Sequence, residues 1–395
     1  MRFFHISDLH LGKTLRGYDL LDDQAFILDK IVDAIALRRP DGLLVAGDIY
    51  DRAVPPVEAV QLFDRFLASA RSAGARGMAI VAIPGNHDSG GRLGFGASLL
   101  AQTGLHIVAR ADTEPVELRD SDGTRCAIWA LPFLHQANAP WDDWARESGD
   151  SGPRLRSQQE MLETALARIR PRLGQNDKNI ILAHCFATGA RVSESETGFV
   201  GAAEQVDAGL FEGFDYAALG HLHSCQSPGP GLWYSGAPLA FGVAEGGEER
   251  GYIEIDLDDA KCRVEFHPLQ PKRRVRRVSG AFGELLERAA ADPGRDDFVE
   301  FQLLDEEAVL NAAERLKALY PRLLSVRQRA FEASLGVESE GGEEGSDVDR
   351  KDGDSLESAK DDFIAFYREM KGSEPSAKEL VLFEALAKEA ADAAE

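Results

Sequence analysis

At 395 residues, with 44% hydrophobic and 28% charged side chains, the chain has the composition of a folded globular protein long enough for more than one domain. No stretch reaches the roughly 18 uninterrupted apolar residues of a membrane helix, and MRFFHISDLH lacks the apolar core of a signal peptide, so a cytoplasmic protein with no membrane association is predicted. The net charge of −23 argues against non-specific coating of a polyanion; 19 acidic against 7 basic residues in 332–395 supply about half of that excess, which leaves room for a local anion channel elsewhere.

Along the first half, strand and helix signals alternate. Phe3–Ser7 reads as a strand, Leu20–Leu37 as an amphipathic helix, Gly42–Ala46 as a buried strand and Val57–Ala73 again as a helix. Met78–Ile83 is another buried strand, and Phe95–Gln102 a short helix. Further on, Asn179–Ala183 and Tyr216–Leu219 are strand-like. From Leu232 to His267 the pattern becomes short strands between Gly-rich turns, among them Gly251–Leu257 and Cys262–His267. Strands alternating with helical crossovers predict an α/β fold, whose ligands gather where loops leave the carboxyl ends of parallel strands. Cys126, Cys185, Cys225 and Cys262 are scattered without a CxxC pair, so free thiols are predicted.

Five polar motifs fall at such strand ends. Asp8 and His10 follow the first strand, Asp48 follows GLLVAG, and Asn86, His87 and Asp88 follow MAIVAIPG. His184 ends NIILAH, while His221 and His223 follow YAALG. Each alone is weak: DLH suits a surface loop, Gly-Asp a helix cap, GNHD a turn, and a strand histidine the core. Together they offer what phosphodiester hydrolysis by two hard cations about 3.5–4 Å apart requires. Asp8, His10, Asp48, Asn86, His184, His221 and His223 supply mixed oxygen and nitrogen ligands, with Asp48 the natural bridge.

This ordered set resembles the calcineurin-like metallophosphoesterase superfamily. HISDLHLG, VAGDIYD, IPGNHDSG, the His184 strand and LGHLH followed by Tyr234–Pro238 narrow it to Mre-type bacterial nuclease subunits, over roughly residues 1–270. The resemblance implies an αββα four-layer sandwich with a smaller α+β capping domain and C-terminal helices. It implies two Mn²⁺ ions, with Mg²⁺ as the substitute, and a homodimer acting with an SbcC-type SMC-like coiled-coil ATPase. The implied substrates are double-stranded DNA ends, cut exonucleolytically, and single strands and hairpins, cut endonucleolytically, in repair, recombination and replication. One metal is then held by Asp8, His10, Asp48 and His223, the other by Asp48, Asn86, His184 and His221. His87 corresponds to the histidine that contacts the scissile phosphate, Asp88 would orient its ring, and Asp51 is placed outside the ligand set.

The remaining segments are less specific. Residues 1–270 are read as the nuclease domain and 271–335 as a helix-rich capping domain with one strand at Phe298–Leu303. The basic run Lys272–Arg277 suits either a solvated linker or a phosphate-tracking surface, and Arg16–Tyr18 a surface loop. The aromatic stretch Trp129–Trp144, with His135, is read as core packing plus a loop. By resemblance, Val57–Ala73 and Leu93–Gln102 form the dimer contact. Residues 336–358 form an acidic linker, and 359–395 carry two amphipathic helices read as docking elements for the ATPase. Two other functions fit parts of the pattern: a hydrolase of small phosphodiesters or phosphoproteins, and a non-catalytic scaffold for DNA ends.

Overall fold

The computed structural model describes residues 1–330 apart from 112–113, 121–122, 148–155, 175–176, 192–204 and 259–261, together with Leu380 and Phe383. The expected linker and docking helices therefore lie outside the described residues, those two positions excepted. By its contacts the chain divides into a unit of residues 1–336 and a second of 337–395.

Two six-stranded sheets form the centre of the first unit. The first is built from Arg2–Ile6 (β1), Gly42–Ala46 (β2), Ala79–Ile83 (β3) and Leu105–Ile107 (β4), all parallel. The second contains Val116–Arg119 (β5), Arg125–Leu131 (β6), Lys178–His184 (β7), Tyr216–Gly220 (β8), Gln226–Gly229 (β9) and Leu232–Tyr234 (β10). Its strands run in the order β9-β10-β8-β7-β6-β5. Gly251–Leu257 (β11) and Cys262–Pro268 (β12) form an antiparallel hairpin that completes the first sheet beside β1.

Alternation of side chains along buried strands assigns each residue to a layer. Phe3, Leu44, Ala46, Val81 and Ile83 face Ile180, Leu182, Tyr216 and Ala218 between the sheets. Phe4, Ile6, Leu43, Val45 and Ile80 point the other way, onto Leu21–Arg38 (α1) and Val57–Ala73 (α2). On the far side, Trp129, Ile181 and Leu219 pack on Gln158–Ile169 (α3). The result is the αββα sandwich. The sequence reading missed α3, although Ser157 and Glu160 form a capping box at its start, a legible S-x-x-E signal. Phe95–Gln102 is broken: a short helix covers Ala97–Leu100 and a 3₁₀ turn Ala101–Thr103.

The smaller domain differs in detail from the helix-rich reading. Val275–Gly280 (β13), Phe298–Leu303 (β14) and Leu323–Gln328 (β15) make a parallel three-stranded sheet. Phe282–Ala289 (α4) and Ala312–Lys317 (α5) connect the strands, so the cap is a small α/β unit. The basic run is not a free cationic surface. Lys272 pairs with Asp22, Arg273 with Asp22, Asp23 and Asp296, Arg276 with Asp292 and Asp297, and Arg277 with Glu300. Tyr18, from the loop read as surface, donates its hydroxyl to carbonyls of the cap at Pro321 and Leu323. Among the described residues, no helix is long and apolar enough to cross a membrane, and all four cysteines are free thiols.

Candidate functional site

All five motifs converge where the carboxyl ends of β1, β2, β3, β7 and β8 meet. The two sheets approach closely there, because glycines stand at the contact. A Cβ on Gly220 would lie 1.8 Å from the Ala46 carbonyl oxygen, and one on Gly47 2.2 Å from His184 Nδ1. Four of the polar residues also sit in left-handed backbone: Asp8 at φ 53°, His10 at 43°, Asp48 at 48° and His221 at 106°. Non-glycine residues adopt such angles at a cost, offset here by surrounding hydrogen bonds, and strain of this kind collects at functional sites.

Asp48 is buried at the middle of the cluster. Its Oδ1 accepts the His87 backbone amide at 2.9 Å, and its Oδ2 lies 3.5 Å from His184 Nε2 and 3.7 Å from His10 Nε2. Ligating atoms of Asp8, Asp48 and His184 all lie within 4.8 Å of one another, as do those of His10, Asp48 and His87. Asp48 thus belongs to both groups. Asn86 Oδ1 sits 2.9 Å from His184 Nε2 and 3.1 Å from His221 Nδ1, and His10 Nε2 is 3.2 Å from His223 Nε2. Asp8 accepts Ser7 Oγ at 2.6 Å and the His221 amide at 3.0 Å, which ties β1 to the loop after β8.

Neighbouring acceptors fix the imidazole tautomers. His184 Nδ1 donates to the Ala46 carbonyl at 2.8 Å, so in its neutral form the lone pair on Nε2 faces Asp48 and Asn86. His223 Nδ1 donates to Glu245 Oε1 at 3.1 Å, so its Nε2 lone pair faces His10. His87 Nδ1 donates to the Asp51 backbone carbonyl at 2.9 Å. Asp88 also holds backbone amides. Its carboxylate accepts the backbone amides of Ile49, Tyr50 and Gly85, each at 2.9 Å, and so clamps together the loops that carry Asp48 and His87. Asp51 bonds Lys13 at 2.7 Å and stands 3.6 Å from His10 Nδ1.

The electrostatics describe a site short of positive charge. Burial pushes Asp8 up to about 6, and burial together with the Asp48 charge pushes Asp88 up to about 7. Burial also raises Asp48, but His184, His10 and His87 outweigh it and hold that carboxyl well below its ordinary range. His184 goes the opposite way: burial lowers it, yet Asp48 and Asp8 lift it to about 9. Burial depresses His10 to about 4 and His221 to about 3. Carboxylates, an amide oxygen and imidazole lone pairs at these separations repel unless a cation lies among them, and buried His10 Nδ1 has no hydrogen-bond partner. The donor set fits divalent cations.

Two residues of the site carried no sequence signal. Glu245, buried in a Gly-rich loop, bonds His223, and the Phe241 ring stands edge-on to His10 and His223 at centroid distances of 5.3 and 5.7 Å. The Tyr234–Pro238 motif is structural: Tyr234 Oη accepts the Ala187 amide and donates to the Cys185 carbonyl, which fixes the chain just after His184.

The calcineurin-like phosphoesterase family matches residues 1–225, and a family described as the type 5 capsule protein repressor C-terminal domain matches residues 271–370. SbcD, the nuclease component of SbcCD, from Staphylococcus saprophyticus is 29% identical over 348 residues, covering 86% of this chain and 88% of that protein. The crystal structure of the Thermus thermophilus protein TT1561 aligns at 14% identity and a TM-score of 0.39, covering 67% of this chain and 98% of that one. The chain is similar to SbcD, belongs to the calcineurin-like phosphoesterase family and is a phosphodiester hydrolase.

Proposed function

We propose that the protein is a two-metal, Mn²⁺-dependent DNA nuclease, an exonuclease on double-stranded ends and an endonuclease on single strands and hairpins, working with an SbcC-type ATPase. The observation that carries this reading is the membership of Asp48 in both candidate ligand groups, although those groups set Asp8 beside His184 and His87 beside His10. Asp8, His10, Asp48 and His223 would hold one ion, and Asp48, Asn86, His184 and His221 the other. When bound, such a pair supplies an activated water and charge stabilisation for an in-line displacement at phosphorus.

The chain's own residues supply orientation and proton transfer. The Ala46 carbonyl and Glu245 present the Nε2 atoms of His184 and His223, and Asp88 holds the Asp48 and His87 loops at fixed separation. The Asp51 carbonyl accepts a hydrogen bond from His87 Nδ1–H, which puts the lone pair of the neutral ring on Nε2, the atom suited to contact the scissile phosphate and serve the leaving oxygen.

The likeness to SbcD supports DNA as substrate and the ATPase as partner. The described residues also support a homodimer. Val54, Val60 and Phe95 are exposed apolar side chains lining a hollow of about 660 Å³, and Val57 and Leu99, in the same segments, are exposed as well. We read residues 271–335 as the capping domain, and 359–395 as the segment that docks the ATPase. The test is to incubate the pure protein with linear duplex and hairpin DNA and Mn²⁺, alone and with the partner and ATP. Cleavage is expected. No cutting under either condition sinks the reading, and faster turnover of a small phosphodiester than of DNA moves the substrate to that class.

A further inference from the structure

The loop between β10 and β11 lies between the ligand cluster and the cap, and its contacts run both ways. Toward the cluster, Glu245 Oε1 accepts His223 Nδ1–H at 3.1 Å, while its Oε2 accepts the Phe241 amide at 2.9 Å. Arg250 donates to the His223 carbonyl and the Glu245 carbonyl, and its Nη2 stands 3.5 Å from Glu245 Oε2. Toward the cap, Ala237, Leu239 and Phe241 share a core with Val275 and Phe298. Gly246, next to Glu245, meets the cap backbone directly: a Cβ there would lie 2.0 Å from the Val275 carbonyl oxygen. Glu245 itself is only 1% exposed, so it has no solvent to turn towards.

We infer that Glu245 is the positioning residue for His223, and that contact of Gly246 with the first cap strand sets its position. The inference deepens the metal-centre reading and rests on His223 being a ligand. A carboxylate that takes the distal N–H of a ligating imidazole fixes both tautomer and ring orientation, and losing it lowers metal affinity about 10- to 100-fold. Because the loop is wedged against β13, the cap becomes part of the support of one ligand. A shift of the cap would thus be felt at His223, whereas Asn86 and His184 are held by the sandwich alone.

The test measures Mn²⁺ binding to the full chain by titration calorimetry, with bound metal counted after dialysis and folding checked by circular dichroism. In Glu245→Gln one of the two binding steps should weaken about 10- to 100-fold while the other is unchanged. Gly246→Ala should weaken the same step. Glu249→Gln, an equal loss of charge at an exposed position of the same loop, should leave both steps intact. A folded Glu245→Gln chain that binds both ions normally overturns the inference, as does equal weakening by Glu249→Gln. If Glu245→Gln does not fold, Gly246→Ala decides alone, and unchanged binding there overturns the coupling to the cap. An unaltered chain that binds no Mn²⁺ overturns instead the metal-centre reading.

Discussion

At the scale of single residues, the cluster separates groups that hold charge from groups that move protons. Asp48 is common to both ligand groups and is bonded by a backbone amide, so Asp48→Ala should lose both metal binding and hydrolysis. His87 is held by a backbone carbonyl and by its place beside Asp48. His87→Ala should therefore lower DNA cleavage by about 10²–10⁴-fold with Mn²⁺ stoichiometry preserved. Cleavage rate and bound metal, measured on the same preparations, check both outcomes; retained cutting in His87→Ala removes its proposed role. The nine site residues were legible in the sequence because each sits in a short motif directly after an apolar strand. Asp88 was legible as a site residue, but what it does was not: its partners are the amides of Ile49, Tyr50 and Gly85, two of them some forty positions away. Glu245 was not legible either, since its bond to His223 depends on how a Gly-rich loop folds back.

Among the elements, the central strands carry more than apolar packing. His5, in β1, reaches across to the second sheet: it donates Nε2–H to the Leu219 carbonyl at 3.1 Å and accepts the Tyr216 hydroxyl on Nδ1 at 3.0 Å. Burial pushes this imidazole down to about 3 from an ordinary 6.5. Between those values the unfolded chain binds a proton that the folded chain does not. Its contribution is thus complete above pH 6.5 and is lost as pH falls towards 3, by up to about 1.4 kcal/mol per unit. Urea titrations across that window should show a steeper acid loss of stability in the parent than in His5→Gln; parallel curves would refute the assignment. β8 ends at Gly220, where the sheets touch. Gly220→Ala should cost at least the roughly 1–3 kcal/mol of an overpacked core, read as a lower thermal midpoint, and should disturb His221 and the metal centre with it.

For the whole first unit, the cap is joined to the sandwich by apolar contacts around Phe298 and Val275 and by ion pairs of Lys272 and Arg273 with α1. Those pairs give most of the KRRVRR run a structural role. Arg277 stands opposite Glu300 on the neighbouring strand, so charges that look like a solvated run are cross-strand partners within a sheet. The apolar face around α2 is a different matter, since Phe95 is 87% and Leu99 72% exposed. If this face joins two copies, Phe95→Glu should shift the protein from dimer to monomer in analytical ultracentrifugation, with circular dichroism unchanged. A parent chain already monomeric at micromolar concentration would discard the dimer.

The sequence by itself determined the α/β class, the strand ends and the identity of the polar residues gathered there. Those features rest on local periodicity and on side-chain chemistry that any fold must place somewhere. Tertiary structure alone decided which nitrogen of each histidine points inward, that Glu245 and Phe241 line the site, and that the cap is a parallel sheet closed over paired charges. Each of these depends on atoms far apart in the chain meeting, and at the buried site a single hydrogen bond in a desolvated interior decides the outcome.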